Sequence, residues 1–289
     1  MSGPDFREAW ADLLRRRSAF ADTLATYGDL IEHWAATDAR VHSLEWSAEG
    51  CRSRWARGVP LLADAPPPLD AVAVEESVSR AIELVAEVRP DAVGGLRWFA
   101  EAWDRGAITP ASLFPARGRI GTLDDTVGLG ADVIAFITLA TLRPWFEPYF
   151  ARCRDHLVDG DWALGVCPFC GAPPAFAEVA EDGRRRLDCH LCGGAWTFPR
   201  LRCPFCGDDE TKNLGRLDFE ASSDQGYFIS TCASCRGYIK ELDRRVRWNG
   251  GPALVEDWGS PHFDLACSRG GYHRPAPPVI LVAGATAAS

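Results

Sequence analysis

Residues 167–171 read Cys-Pro-Phe-Cys-Gly, and residues 203–207 read Cys-Pro-Phe-Cys-Gly again. Two more C-x-x-C pairs, Cys189/Cys192 and Cys232/Cys235, bring the set to four within 69 residues. A metal-binding turn needs two sulfurs close together with backbone N–H groups aimed at them. Pro168 and Pro204 preset the φ of the first turn position. Gly171, Gly193 and Gly207 follow the second sulfur, where a positive φ is cheap only for glycine. Cys235 is followed by Arg236 and only then by Gly237, so the fourth turn departs from the pattern. A single pair is compatible with a thioredoxin-like redox motif; four in succession point to metal.

Aligning the pairs exposes an internal repeat. Unit one, Cys167 to Cys192, holds 18 residues between its pairs, and unit two, Cys203 to Cys235, holds 25. Each opens with C-P-F-C-G and closes with C-x-x-C followed by an aromatic residue, Trp196 or Tyr238. Ala175 to Val179 and Tyr227 to Ser230 read as short strands. The economical arrangement is two sequential four-cysteine ribbons, Cys167, Cys170, Cys189 and Cys192 in one and Cys203, Cys206, Cys232 and Cys235 in the other. A cross-braced alternative joins pair one to pair three and pair two to pair four. Each quartet is expected to hold one tetrahedral ion, zinc or iron, since thiolates suit both. With all four positions filled by protein, such an ion cannot activate water or polarise a substrate. It can hold a small domain together or, as iron, pass single electrons. Metal capture and folding should be coupled in loops this short.

Composition narrows the remaining classes. The 289 residues are 47% hydrophobic and 25% charged, enough apolar mass for a real core. Lys and Arg number 31 against 40 Asp and Glu, a formal charge of −9. Residues 161–245 alone hold 11 basic and 13 acidic side chains. Eight thiolates with two divalent ions would add four more negative charges to that region. Phosphate binding needs clustered cations, so a nucleic-acid ribbon is disfavoured. The most apolar run, Val127 to Ala140, is too short to span a membrane and carries Asp132. Arg15-Arg16-Arg17 is superficially like a twin-arginine export signal, but Asp22, Asp29 and Glu32 follow in place of an apolar stretch. It reads as a basic helix face, and the chain is expected to be cytoplasmic.

Residues 1–160 read as an α-helical domain. Trp10, Leu13, Leu14, Phe20, Leu24, Tyr27, Ile31 and Trp34 form one stripe at three- and four-residue steps. Val74, Val78, Ala81, Ile82 and Val85 form another, as do Leu96, Phe99 and Trp103. Asp124-Asp125 opens a candidate helix, Val127 to Leu142, and Pro144 starts a last one toward His156. The Trp and Phe residues here are expected in the core. The whole chain divides into residues 1–160, a first metal module at 161–200, a second at 201–245 and a C-terminal segment at 246–289. No catalytic constellation is evident: Gly128-Leu129-Gly130 lacks the third dinucleotide-fingerprint glycine, and no Walker lysine, H-E-x-x-H or G-x-S-x-G is present. His190 is expected to point away from the metal, at the surface. Cys51, Cys153 and Cys267 are expected as buried, inert thiols.

C-P-F-C-G-A-P-P at Cys167 to Pro174, L-D-C-H-L-C-G-G-A-W at Leu187 to Trp196, R-L-R-C-P-F-C at Arg200 to Cys206 and T-C-A-S-C-R-G-Y-I-K at Thr231 to Lys240 together resemble the formate dehydrogenase accessory proteins, the FdhE family. The resemblance covers residues 165–275, weakly at Gly271-Tyr272 and Arg274, and departs at Ala195, where the family usually has Glu. It implies a helical domain followed by two rubredoxin-like modules, with the eight paired cysteines as metal ligands. It also implies a non-enzymatic cytoplasmic maturation factor that binds the formate dehydrogenase catalytic subunit before export. A rubredoxin-like one-electron carrier acting on that client is the alternative.

Overall fold

A computed structural model of the chain describes residues 6–116, 118–120, 123 and 128–275. Helices come first: α1 (Phe6–Arg16), α2 (Ala21–Ala36), α3 (Ala48–Trp55), α4 (Leu61–Asp64), α5 (Ala71–Val88), α6 (Val93–Asp104), α7 (Ala131–Tyr149) and α8 (Ala151–Arg154). Strands β1 (Phe176–Val179), β2 (Arg185–Asp188), β3 (Ala195–Thr197), β4 (Leu214–Asp218), β5 (Tyr227–Cys232) and β6 (Tyr238–Asp243) follow, then α9 (Ala253–Trp258) and α10 (Pro261–Arg269). This is the expected order of a helical region and then two strand-bearing cysteine units. The long N-terminal stripe is broken by a 3-10 turn, Ser18–Phe20, between α1 and α2. Asp70 starts α5 by accepting the Ala73 N–H at 2.8 Å.

Helix α7 is the hub of the helical layer and is buried on nearly every side. The expected break at Pro144 does not occur, because α7 runs through both Pro144 and Pro148. Pro144 has no N–H for the Ala140 carbonyl, which would normally leave that oxygen orphaned. The Trp34 indole Nε1 donates to it instead, at 2.9 Å, and the Ser43 hydroxyl donates to the Pro148 carbonyl at 2.8 Å. At Pro144 a substitute donor lets the helix continue, whereas the Ser43 bond ties down a carbonyl at the C-terminal end of α7. The expected helix start at Asp124-Asp125 and Val127 lies outside the described residues; Arg89 pairs with Asp132 at the observed N-terminus.

All six strands form one sheet in the order β3-β2-β1-β6-β5-β4. Each unit contributes an antiparallel three-stranded piece, and the pieces join through parallel pairing of β1 with β6, Ala177 opposite Glu241. The units therefore repeat in the same sense along the sheet. One continuous core runs from Leu24, Leu84 and Phe146 of the helices into Phe169, Leu187 and Trp196 of the first unit. Most tryptophans of the helical region are in it as expected, but Trp98 is exposed; Trp248, beyond that region, is 77% exposed. Helix α9 is stitched to α2 by Trp258, stacked on Tyr27 with centroids 4.3 Å apart. The basic run of α1 is not a free face: Arg16 reaches Glu256 at 3.2 Å, and Arg17, buried, pairs with Asp224 of the second unit at 2.5 Å. Among the described residues no helix is long and apolar enough to cross a membrane.

Candidate metal centres

The first three C-x-x-C turns are closed by the same backbone pattern. The Cys167 N–H donates to Ala172 O at 2.8 Å and Gly171 N–H returns to Cys167 O at 2.9 Å. Cys189 and Gly193 repeat this with Gly194, and Cys203 and Gly207 repeat it with Asp208. The glycines sit at φ of +76°, +67° and +80°. In the fourth turn Cys232 N–H donates to Gly237 O at 2.9 Å, and Arg236 takes the left-handed position with φ +57°. It is the departure anticipated from the sequence. Among the described residues Arg236 alone of the non-glycines has a positive φ.

The phenylalanine inside each C-P-F-C sits against the partner turn of its own unit. A Cβ on Gly194 would lie 2.4 Å from the Phe169 ring, and one on Gly237 would lie 2.7 Å from the Phe205 ring. These equivalent glycines let the two turns of a unit close on each other, so the repeat read from the sequence is also a repeat in packing.

This closure gathers the sulfurs sequentially, not cross-braced. Cys167, Cys170, Cys189 and Cys192 form one group, and Cys203, Cys206, Cys232 and Cys235 the other, with ligand atoms within 4.8 Å of one another in each. Cys167 and Cys192 are 3.5 Å apart, and Cys170 and Cys189 3.4 Å. Both corresponding pairs of the second group are at 3.7 Å. A tetrahedron with metal–sulfur bonds of about 2.3 Å has edges of about 3.8 Å, whereas a disulfide needs about 2.05 Å. All eleven cysteines are free thiols. Spacing and donor type thus fit a tetrahedral ion of zinc or iron, and both quartets could hold one.

Without a cation these sulfurs cannot all ionise. Burial pushes the Cys167 and Cys170 thiols well above the ordinary value. Cys192 is drawn below it, against its burial, by hydrogen bonds from the other three sulfurs and by the Arg154 guanidinium. Burial lifts Cys203 to about 11; backbone N–H groups of Cys235 and Ser234 draw Cys232 down against its own burial. Metal capture would therefore release protons.

His190 points away from the sulfurs as expected, but it is not at the surface. It is 7% exposed, with Nδ1 3.5 Å from Asp257 Oδ2, and burial lowers its pKa to about 3. The reason is a charge cluster that the sequence reading missed. Lys240 of β6, 1% exposed, lies 2.7 Å from both Asp257 and Asp264, and Arg274 pairs with Asp257 at 2.8 Å. Tyr238 donates to Asp264 at 2.6 Å. The cluster locks α9, α10 and Arg274 onto the sheet. Its one legible trace was a lysine followed by a glutamate within a β-favouring run, Tyr238 to Leu242. Cys51, Cys153 and Cys267 are buried and lie outside both quartets; burial pushes Cys51 and Cys267 up to about 12.

No protein-family model matches the chain. It is 37% identical over 123 residues to a protein FdhE homolog of Stutzerimonas stutzeri, covering 41% of this chain and 39% of that one. A protein FdhE homolog of Pseudomonas aeruginosa is 32% identical over 168 residues, 54% of this chain and 52% of that one. The chain thus spans about half the length, or less, of these curated relatives. The crystal structure of the FdhE protein from Pseudomonas aeruginosa superposes with a TM-score of 0.58 over 96% of each chain at 22% identity, which establishes a common fold. The chain is thus similar over part of its length to proteins FdhE and shares the fold of one of them.

Proposed function

We propose that the chain is a non-enzymatic maturation factor, with the eight paired cysteines as ligands of two metal ions, zinc or iron. Its client is the catalytic subunit of a formate dehydrogenase, bound in the cytoplasm before export. The observation that carries this reading is the pair of four-sulfur clusters in a chain similar to FdhE homologs. Each quartet uses every coordination position, so a bound ion would shape and stiffen the sheet rather than meet a substrate. The eight cysteines act by closing turns around the ion, and Gly194 and Gly237 allow the turns to meet.

The test is co-purification of the tagged, metal-loaded chain with a formate dehydrogenase catalytic subunit, together with a formate oxidation assay on the chain alone. Capture of the subunit and no oxidation are expected. Failure to capture it, or turnover of formate by the isolated chain, contradicts the proposal. One feature favours a second reading, one-electron transfer: Cys206 of the second quartet is exposed, which gives a bound iron a short path to a partner. Anaerobically purified protein that is red and bleaches on reduction supports that reading; colourless zinc protein rejects it.

A further inference from the structure

The two quartets are built alike but seated differently. Cys167, Cys170, Cys189 and Cys192 are 0–2% exposed. Their turns are clamped from the helical layer. Leu61 N–H and the Trp55 indole each donate to Pro168 O at 3.1 Å, and Leu62 N–H donates to Phe169 O at 2.8 Å. Arg143 and Arg154 donate to the carbonyls of His190 and Cys192. In the second quartet Cys206 is exposed and Cys235 half-buried. Its fourth turn is held from the C-terminal side, where Arg236 donates to the Gly270 and Gly271 carbonyls and lies 4.0 Å over the Tyr272 ring. The second quartet is thus approachable at Cys206 and, in part, at Cys235.

We propose that the second quartet is the exchange site of the chain, gaining and losing its ion through soft ligands such as small thiols or chelating anions. The first keeps its ion for as long as the helical layer covers it. The inference rests on both quartets being metal sites. The step is ligand replacement without electron transfer. An incoming thiol bonds the ion through sulfur, and its proton goes to the cysteine sulfur that leaves, Cys206 first. In the first quartet the same step requires the helical cover to lift, because no sulfur reaches the surface.

The experiment uses the full zinc-loaded chain with 4-(2-pyridylazo)resorcinol to record release and iodoacetamide to mark freed sulfurs, mapped by mass spectrometry. Two phases of one equivalent each are expected, about tenfold or more apart in rate, since one needs local opening and the other does not. The fast phase should label Cys203, Cys206, Cys232 and Cys235 and spare Cys167, Cys170, Cys189 and Cys192. A single rate for both ions, retention of both, or early labelling of the first quartet overturns the inference while leaving the metal reading intact. A chain that takes up no zinc defeats the metal reading, and this inference with it.

Discussion

Replacing Lys240 by Ala tests whether the charge cluster under the sheet is a structural lock. The ammonium is 1% exposed and makes contacts of 2.7 Å to Asp257 and to Asp264, plus a hydrogen bond of 2.6 Å to Asp257 O. Its loss leaves two buried carboxylates with Arg274 as the remaining cation that pairs with both, at 2.8 and 3.5 Å. Removing one partner of a buried ion pair costs about 3–5 kcal/mol, and the surviving Arg274 puts the expectation near the lower end, about 3 kcal/mol. That is a large share of a typical domain's stability of about 5–15 kcal/mol. The assay is urea unfolding of the metal-loaded chain, with Lys212→Ala as control; Lys212 is 77% exposed and paired with Glu210 at the surface. The control should cost under about 1 kcal/mol. A Lys240→Ala loss no larger than the control's would refute the lock. Lys240→Met should cost less than Lys240→Ala because it refills the volume, yet more than the control.

Three further outcomes are expected. Cys167→Ser and Cys203→Ser should each lose one metal equivalent, whereas Cys51→Ser should lose none; loss of both ions from one substitution would show that the quartets do not fill independently. Gly194→Ala drives a methyl into the fully buried Phe169 ring and should cost about 1–3 kcal/mol, while Gly237→Ala meets Phe205, which is only half-buried and can give way, and should cost less on the same unfolding curves. Asp224 is held below the usual carboxylate value by Arg17, against its burial. Its stabilisation is therefore full above about pH 3.9, the unfolded value, and is lost as pH falls through the lower folded value. The gap in urea midpoint between wild type and Asp224→Asn should be widest near pH 7 and should close in strong acid; a gap independent of pH contradicts the Arg17–Asp224 tie.

What could be read in the sequence were features carried by local backbone chemistry. Prolines and glycines around the cysteines located the turns, and the spacing of two like units anticipated sequential pairing of the sulfurs. Tyr227 to Ser230 announced β5 because its residues favour a half-buried pleat. Strand β2 was hidden because Arg185–Asp188 reads as a solvated charge run. Arg185 is in fact buried, its guanidinium donating to Glu241 of the other unit at 2.6 Å. Lys240, Asp257 and Asp264 were hidden for the same reason: a charge looks solvated until its distant partner is known. Pro144 was read as a boundary by a rule that holds only when the freed carbonyl finds no donor, and Trp34, 106 positions away, supplies one. The joining of the two units into one sheet rests on the β1–β6 pairing, between segments some 60 residues apart, to which no local signal points.

The most direct test of the whole account is elemental analysis of the anaerobically purified chain, with thiols counted on the same sample. Two equivalents of zinc or iron per chain, with the eight paired sulfurs unreactive until the metal is removed, are predicted. A folded chain with no bound metal, or with those sulfurs joined as disulfides, would contradict it.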